Sequence, residues 1–174
     1  QQLQNNTFAL GNDWFVNNIK WVDSPDEEIK ALHEIDPSET AIIDKRFESF
    51  ISKKFENSHK ENSSYIKMIS YAPDYLVYES ESAEDKLAVF SEIYYPHGWH
   101  AYIDGKLLPH IRANYVLRTM LIPAGKHTIE FRCAPLSCRI TETIAFIASG
   151  VLLLFFILVI LSAFRKHKKI RLTV

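Results

Sequence analysis

The feature that most constrains this chain is a long apolar segment near its C-terminal end. Residues 144–164 include 21 positions without a charged side chain, and 15 of them are Leu, Ile, Val or Phe. An α-helix rises about 1.5 Å per residue, so this segment would be about 31 Å long, which matches the ~30 Å hydrocarbon core of a bilayer. A buried core helix is the alternative, but helices of that kind are shorter or carry charges. We therefore predict a transmembrane helix over residues 144–164.

The basic residues that flank this segment predict its orientation. Residues 165–171 contain five Lys or Arg side chains, whereas Arg132 and Arg139 are the nearest ones on the N-terminal side. Because cytoplasmic flanks carry the excess of Lys and Arg, we expect residues 165–174 to form a basic cytoplasmic tail. The residues before the helix would then lie outside the cytoplasm. Since the chain opens at Gln1 without a signal segment, we expect a removed signal peptide or upstream transmembrane segments to deliver it.

The residues before the helix predict one mainly β (α+β) domain. Apolar and polar side chains alternate through residues 127–133, and Asp104-Gly105 is a strong hairpin signal. Short strands with frequent turns are typical of an antiparallel β-sandwich, which we predict over residues 8–138 after a polar linker, residues 1–7. The predicted strands cover residues 15–22, 40–44, 65–70, 75–79, 87–95, 99–103, 115–122 and 127–133.

Three further segments of this domain have distinct patterns. Ser24-Pro25 followed by Glu27 is an N-cap with Pro at the first helical position, and it predicts one short helix to about His33. Residues 47–64 are polar and predict a loose or partly helical connection. Residues 87–95 are apolar on both faces, as expected for a strand that is covered on two sides.

The two cysteines, Cys133 and Cys138, lie just before the apolar segment. In an oxidising compartment they can form a disulfide that closes a small loop, and Pro135 would help the chain to reverse. Two free thiols, with Cys133 packing as a small apolar side chain, are the alternative. The spacing offers too few ligands for a metal site.

Histidines and aromatic residues around the predicted hairpin are the candidate binding residues. His97 and His100 flank a Gly without a third ligand, so we predict no metal site. Exposed aromatic faces suit stacking on sugar rings, although core packing is the commoner role of aromatic side chains. By strand alternation, Trp99 points inward with Ala101 and Ile103. The candidates for glycan contact are Tyr95, His100 and Tyr102.

Composition and motifs exclude several functions. The net charge of −1 provides no field that would favour nucleic acid. The sequence contains no nucleophile, phosphate-binding or HExxH motif, so we assign no catalytic residue to this chain and expect no cofactor.

Long blocks of the chain resemble a family of membrane proteins. The blocks are FALGNDWFV (residues 8–16), KWV (20–22), VFSEIYYP (89–96), GWHAYIDGK (98–106), RANYVLR (112–118) and PAGKHTIEF (123–131). In these blocks the chain resembles the C-terminal part of YfhO-like bacterial proteins, in the version of the Bacteroidetes. The similarity covers about residues 8 to 165.

The resemblance implies a large polytopic protein related to the GT-C glycosyltransferases. Such enzymes use a lipid-linked sugar donor at the outer face of the cytoplasmic membrane, and their catalytic carboxylate lies in an early extracytoplasmic loop. The chain would then be an accessory domain with the last transmembrane helix. Its implied partners are the bilayer, the upstream helices and an envelope glycan or lipid-linked sugar. The alternative is a non-enzymatic anchored β-domain that binds a glycan or a protein in the envelope.

Overall fold

The computed structural model describes residues 9–51, 55 and 63–171, without the side chains of residues 136–139 and 163–171. The chain forms two compact units, Gln1–Ala134 and Pro135–Val174. The first unit is built mostly from antiparallel strands, which confirms the predicted fold class. Its elements are β1 (Asp13–Val16), β2 (Asn18–Val22), α1 (Pro25–Ala31), β3 (Thr40–Asp44), a 3-10 helix (Lys45–Phe50), β4 (Tyr65–Ala72), β5 (Tyr75–Ser82), β6 (Lys86–Ile93), β7 (Trp99–Ile103), β8 (Lys106–Leu108), β9 (Ile111–Ala113), β10 (Leu117–Ile122) and β11 (Gly125–Cys133).

Two antiparallel sheets pack face to face. The middle sheet has the strand order β1-β6-β10-β9, and the outer sheet has the order β4-β5-β11-β7-β8. The side chains between them form the main core, because alternate residues of each strand point to the same face. This core consists of Leu76, Tyr78, Ala88, Phe90, Ala101, Ile103, Met120, Ile122, Ile129 and Phe131.

The other face of the middle sheet is covered by a parallel pair, β2 and β3, and α1 packs on this pair. Leu87 and Val89 of β6 point to this layer, while Ala88 and Phe90 point to the outer sheet. All four side chains are fully buried. Strand β6 is therefore covered on both faces, as its sequence predicts.

The predicted strand over residues 15–22 is wrong, because the chain divides there into β1 and β2. The backbone N–H groups of Asn17 and Asn18 donate to Glu39 O at 2.9 and 3.0 Å. The Asn17 side chain also donates to the Glu39 carboxylate at 2.7 Å. These contacts pair the second half of the segment with β3, whereas the first half pairs with β6.

Helix α1 is fixed to the sheets by Glu28, which is fully buried. One carboxylate oxygen accepts from Nη2 of Arg112 at 2.6 Å, and the other accepts from the backbone N–H of Tyr115 at 2.8 Å. Asn114 and Tyr115 have φ angles of +49° and +71°, so a turn of positive φ precedes β10. This turn is why β10 begins at Leu117, two residues later than predicted.

The second unit contains α2 (Leu136–Arg171). Its segment Ile140–Ser162 is 23 residues long, apolar and exposed along its length. The segment is thus long and apolar enough to cross a membrane, which is compatible with membrane anchoring. The predicted linker, residues 1–7, and most of the polar connection over residues 47–64 lie outside the described residues.

Candidate functional site

A cleft of about 390 Å³ opens beside the first residues of β7. It lies between the loop that follows β6 and the loop that joins β8 to β9. Among the described residues, its wall is formed by aromatic, apolar and imidazole side chains, without an Asp or Glu. The lining residues are Tyr94, Pro96, Trp99, His100, Ala101, Leu107, Leu108, Pro109 and His110.

The aromatic side of the cleft continues directly into the main core. The ring of His110 lies 5.5 Å from that of Tyr94 and 5.6 Å from that of Phe131, edge to face in both cases. Phe131 in turn packs 4.9 Å from Phe90 at the centre of the sandwich. The cleft wall is therefore held by core packing and is formed before any ligand arrives.

Arg118 of β10 lies immediately behind this wall. Its guanidinium carbon is 4.1 Å from the ring centroid of Trp99 and 5.3 Å from that of Phe131. Its Nε donates to the carbonyl oxygen of Ile93 at 2.9 Å. Arg118 is only 2% exposed, and its Nη1 has no hydrogen-bond partner among the residues that the structure describes.

The charge of Arg118 has electrostatic consequences for the cleft. Burial lowers the pKa of Arg118, and the nearby carboxylate of Glu92 opposes this decrease. A guanidinium nevertheless stays charged in proteins. Burial lowers the pKa of His110 to about 4, and the positive charges of Arg118 and His100 contribute in the same direction. His110 is therefore neutral at pH 7, and its buried Nε2 has no partner within the described part of the chain.

His100 connects the cleft with the exposed face of the outer sheet. It is the cross-strand neighbour of Arg132, whose guanidinium carbon lies 4.5 Å from the ring of Tyr102 and 5.9 Å from that of Tyr75. Arg132 also forms an ion pair with Glu130, which lowers the pKa of that carboxylate. We call this set, His100, Tyr102, Arg132, Tyr75 and Glu130, the outer-face patch.

The structure brings together two of the three predicted glycan contacts. His100 lines the cleft and belongs to the outer-face patch, and Tyr102 lies two residues further along the same face. Tyr95 is 54% exposed in the loop after β6, and its ring lies 5.7 Å from that of His97. Trp99 is partly buried against the main core, on the side that strand alternation predicts.

Sequence reasoning missed the roles of Tyr94, His110 and Arg118. A signal for Arg118 was available, because alternation places it on the same face as the core residues Met120 and Ile122. A charged side chain in that register predicts a buried cation. His110 carried no comparable signal, because its burial depends on Phe131, which lies about twenty residues away in the sequence.

The structure also bears on the predictions about metal and cysteine chemistry. Among the side chains that the structure describes, no three of His, Cys, Asp or Glu are grouped so that they could hold a metal ion. Cys133 ends β11 and is partly buried. The side chain of Cys138 lies outside the described residues, so the disulfide stays a prediction.

Comparison with protein-family models, with curated proteins and with solved structures finds no match for this chain. The resemblance to YfhO-like proteins therefore stays a prediction. The features of the chain that bear on its function are the cleft, the outer-face patch and the apolar helix.

Proposed function

We propose that this chain is a glycan-binding domain on the extracytoplasmic side of a bacterial cytoplasmic membrane, anchored there by its C-terminal helix. The observation that carries the proposal is the cleft beside β7, in which Tyr94 and Trp99 supply aromatic surface and His100 and His110 supply imidazole rings. Its volume of about 390 Å³ lies in the range of small-molecule sites.

The chemistry of the cleft fits a saccharide better than a purely apolar ligand. Sugar rings present C–H groups on their faces, which pack on aromatic rings, and hydroxyl groups at their edges, which need donors and acceptors. Trp99 and Tyr94 meet the first need. The imidazole ring of His100, which is exposed, meets the second.

The outer-face patch extends the same chemistry beyond the cleft. Tyr102 and Tyr75 flank the guanidinium of Arg132, and His100 joins this surface to the cleft. A glycan longer than one sugar can therefore follow the wall from the cleft to the sheet face. Under this proposal His100 and Tyr102 contact the glycan, while Tyr95 serves at the rim.

We further propose that the domain belongs to a YfhO-like, lipid-linked-sugar-dependent glycosyltransferase of the GT-C type, as its C-terminal accessory part. The block GWHAYIDGK, residues 98–106, supports this, because it is one of the blocks that resemble the family and it forms β7 and the turn into β8 beside the cleft. The apolar segment Ile140–Ser162 and the basic residues after it support the anchored arrangement, with the tail in the cytoplasm. The catalytic carboxylate would then lie upstream, and this domain would hold the acceptor.

The test is a screen of the full chain, in lipid nanodiscs, against an array of bacterial envelope glycans, followed by calorimetry on the glycans that bind. His100→Ala should weaken binding about tenfold, which corresponds to the loss of about 1.4 kcal/mol. His33→Ala is the matched control, since His33 is an exposed histidine just after α1. Absence of binding to any glycan, or equal effects of the two substitutions, would refute the proposal.

A second candidate function, binding of a protein partner, is favoured by exposed apolar side chains near the rim of the cleft. Ile93, Tyr95 and Val116 are 70%, 54% and 44% exposed. The reading frame upstream of Gln1 separates the larger hypotheses. About ten apolar segments of eighteen or more residues would favour the glycosyltransferase, and a lone signal peptide would favour the anchored partner-binding domain.

A further inference from the structure

We infer that the glycan bound beside β7 carries a negative charge, as a carboxylate or phosphate substituent, and that Arg118 makes the site selective for it. This inference rests on the proposed function. It adds the chemical class of the ligand, and it assigns the selectivity to Arg118, which is buried behind the cleft.

Arg118 is a buried cation without a bonded anion among the described residues. Buried charges in proteins are normally paired, because an unpaired one loses its hydration without compensation. Arg118 is 2% exposed, has one hydrogen bond to a backbone carbonyl, and leaves Nη1 without a partner among the described residues. The ring of Trp99, 4.1 Å away, provides a cation–π contact but no negative charge.

The carboxylate of Glu92 acts on Arg118 from nearby without forming an ion pair with it in the described part of the chain. The described lining of the cleft adds no carboxylate and includes His100 and His110. The positive charge of Arg118 reaches the cleft, because it is one of the causes that lower the pKa of His110. An anion placed in the cleft would enter a site of positive potential that only one layer of side chains separates from the guanidinium.

The geometry does not require the anion to touch Arg118. Trp99 contacts the guanidinium and lines the cleft, and His110 packs on Phe131, so Arg118 acts on the cleft from a buried position. Charges act over longer distances in such surroundings than at an exposed surface, where salt and water screen them. A neutral sugar would bind in the same place without this contribution.

Binding of an anion should also be linked to protonation of His110. The groups that face His110 are the Arg118 charge, the His100 imidazole and the rings of Tyr94 and Phe131. An anion beside the ring stabilises its protonated form, so protons and anion bind together. Affinity for an acidic glycan should therefore increase as the pH is lowered from 7.5 to 5.5, a range in which the ligand carboxylate stays ionised.

The experiment compares matched acidic and neutral ligands on the full chain in nanodiscs. The probes are pairs that differ only in charge, such as an oligogalacturonate and its methyl ester, or sialyllactose and lactose. Each pair is measured by calorimetry at two pH values and two salt concentrations, alongside the envelope glycans selected by the array. In a pair that binds, we expect the acidic ligand to bind at least tenfold more tightly than the neutral one. This preference for the acidic ligand should be smaller in high salt and larger at pH 5.5.

Variants assign the preference to Arg118. Arg118→Lys keeps the charge and should keep most of the acidic preference, whereas Arg118→Met should abolish it. Lys126→Met removes an exposed charge near the start of β11 and is the control. If Arg118→Met does not fold, the salt and pH dependence of the unmodified chain decides the question.

The outcomes separate the two proposals. Equal affinity for acidic and neutral partners would overturn this inference and leave glycan binding intact. No binding of any glycan would overturn the proposed function, and this inference with it. An acidic preference that Arg118→Met leaves unchanged in a folded protein would refute the role of Arg118.

Discussion

Glu28 provides the sharpest test of how the layers of this domain are held together. Glu28→Gln keeps the size of the side chain but removes its charge. The amide oxygen can still accept from the backbone N–H of Tyr115, but the amide nitrogen cannot accept from Arg112, which now bonds Glu28 at 2.6 Å. Arg112, with 19% of its side chain exposed, would be left as a largely buried cation without an anion.

The expected cost follows from these contacts. Breaking a buried ion pair by removing one partner costs about 3–5 kcal/mol, and partial exposure of Arg112 places this case near the lower value. A loss of about 3 kcal/mol should lower the melting temperature of a domain of this size by roughly 10 °C. The assay is urea unfolding of the full chain in nanodiscs, followed by tryptophan fluorescence, since Trp21 packs in the layer that α1 covers.

A control and a second variant make this prediction refutable. Asp26→Asn removes an exposed acid from the first turn of the same helix and should cost less than about 1 kcal/mol. Adding Arg112→Met to Glu28→Gln should cost little more, because the pair is already broken. If Glu28→Gln costs no more than Asp26→Asn, the ion pair does not hold α1 in place.

Three further predictions concern the core and two histidines. The free energy of unfolding should fall by up to about 3 kcal/mol as the pH drops from 6.5 to 4. The reason is that burial holds the pKa of His110 at about 4 in the folded protein, whereas the unfolded chain lets the ring bind a proton. In urea titrations, His110→Gln should remove this pH dependence. The hydrogen bond to Asp104, at 2.6 Å, raises the pKa of His127, so this pair stabilises the fold below pH 6.5 and loses that contribution as the pH rises through the raised pKa. Asp104→Asn should return the His127 pKa, measured by NMR, toward its usual value, and an unchanged pKa would contradict this. Phe90→Ala should cost about 3–5 kcal/mol in the same unfolding assay, and a cost below 1 kcal/mol would show that the core refills the space.

The candidate site illustrates what sequence can and cannot predict about function. Alternation in β7 assigns His100 and Tyr102 to the exposed face and Trp99 to the core side. It contains no information on which strand lies opposite, so the stack of Trp99 on Arg118 could not be predicted. That contact joins two sheets across nineteen positions of sequence and exists only because the sheets pack together.

Local signals in the sequence determined the individual elements. Alternating side chains, the Asp104-Gly105 turn and the Ser24 cap each act through contacts between near neighbours, so β3, β7, β11 and α1 begin within about two residues of their predicted positions. The apolar run over residues 144–164 needs only its own composition to be recognised. These features follow from the sequence alone.

Only the tertiary structure decided how the elements combine. Hydrogen bonds from Asn17 and Asn18 to Glu39 divide the predicted strand over residues 15–22 between the middle sheet and the parallel β2–β3 pair. Glu28 and Arg112 meet although 84 positions separate them, and their pairing fixes α1. Such contacts depend on which surfaces come together when the chain collapses, and the free energy of an isolated segment contains no term for them.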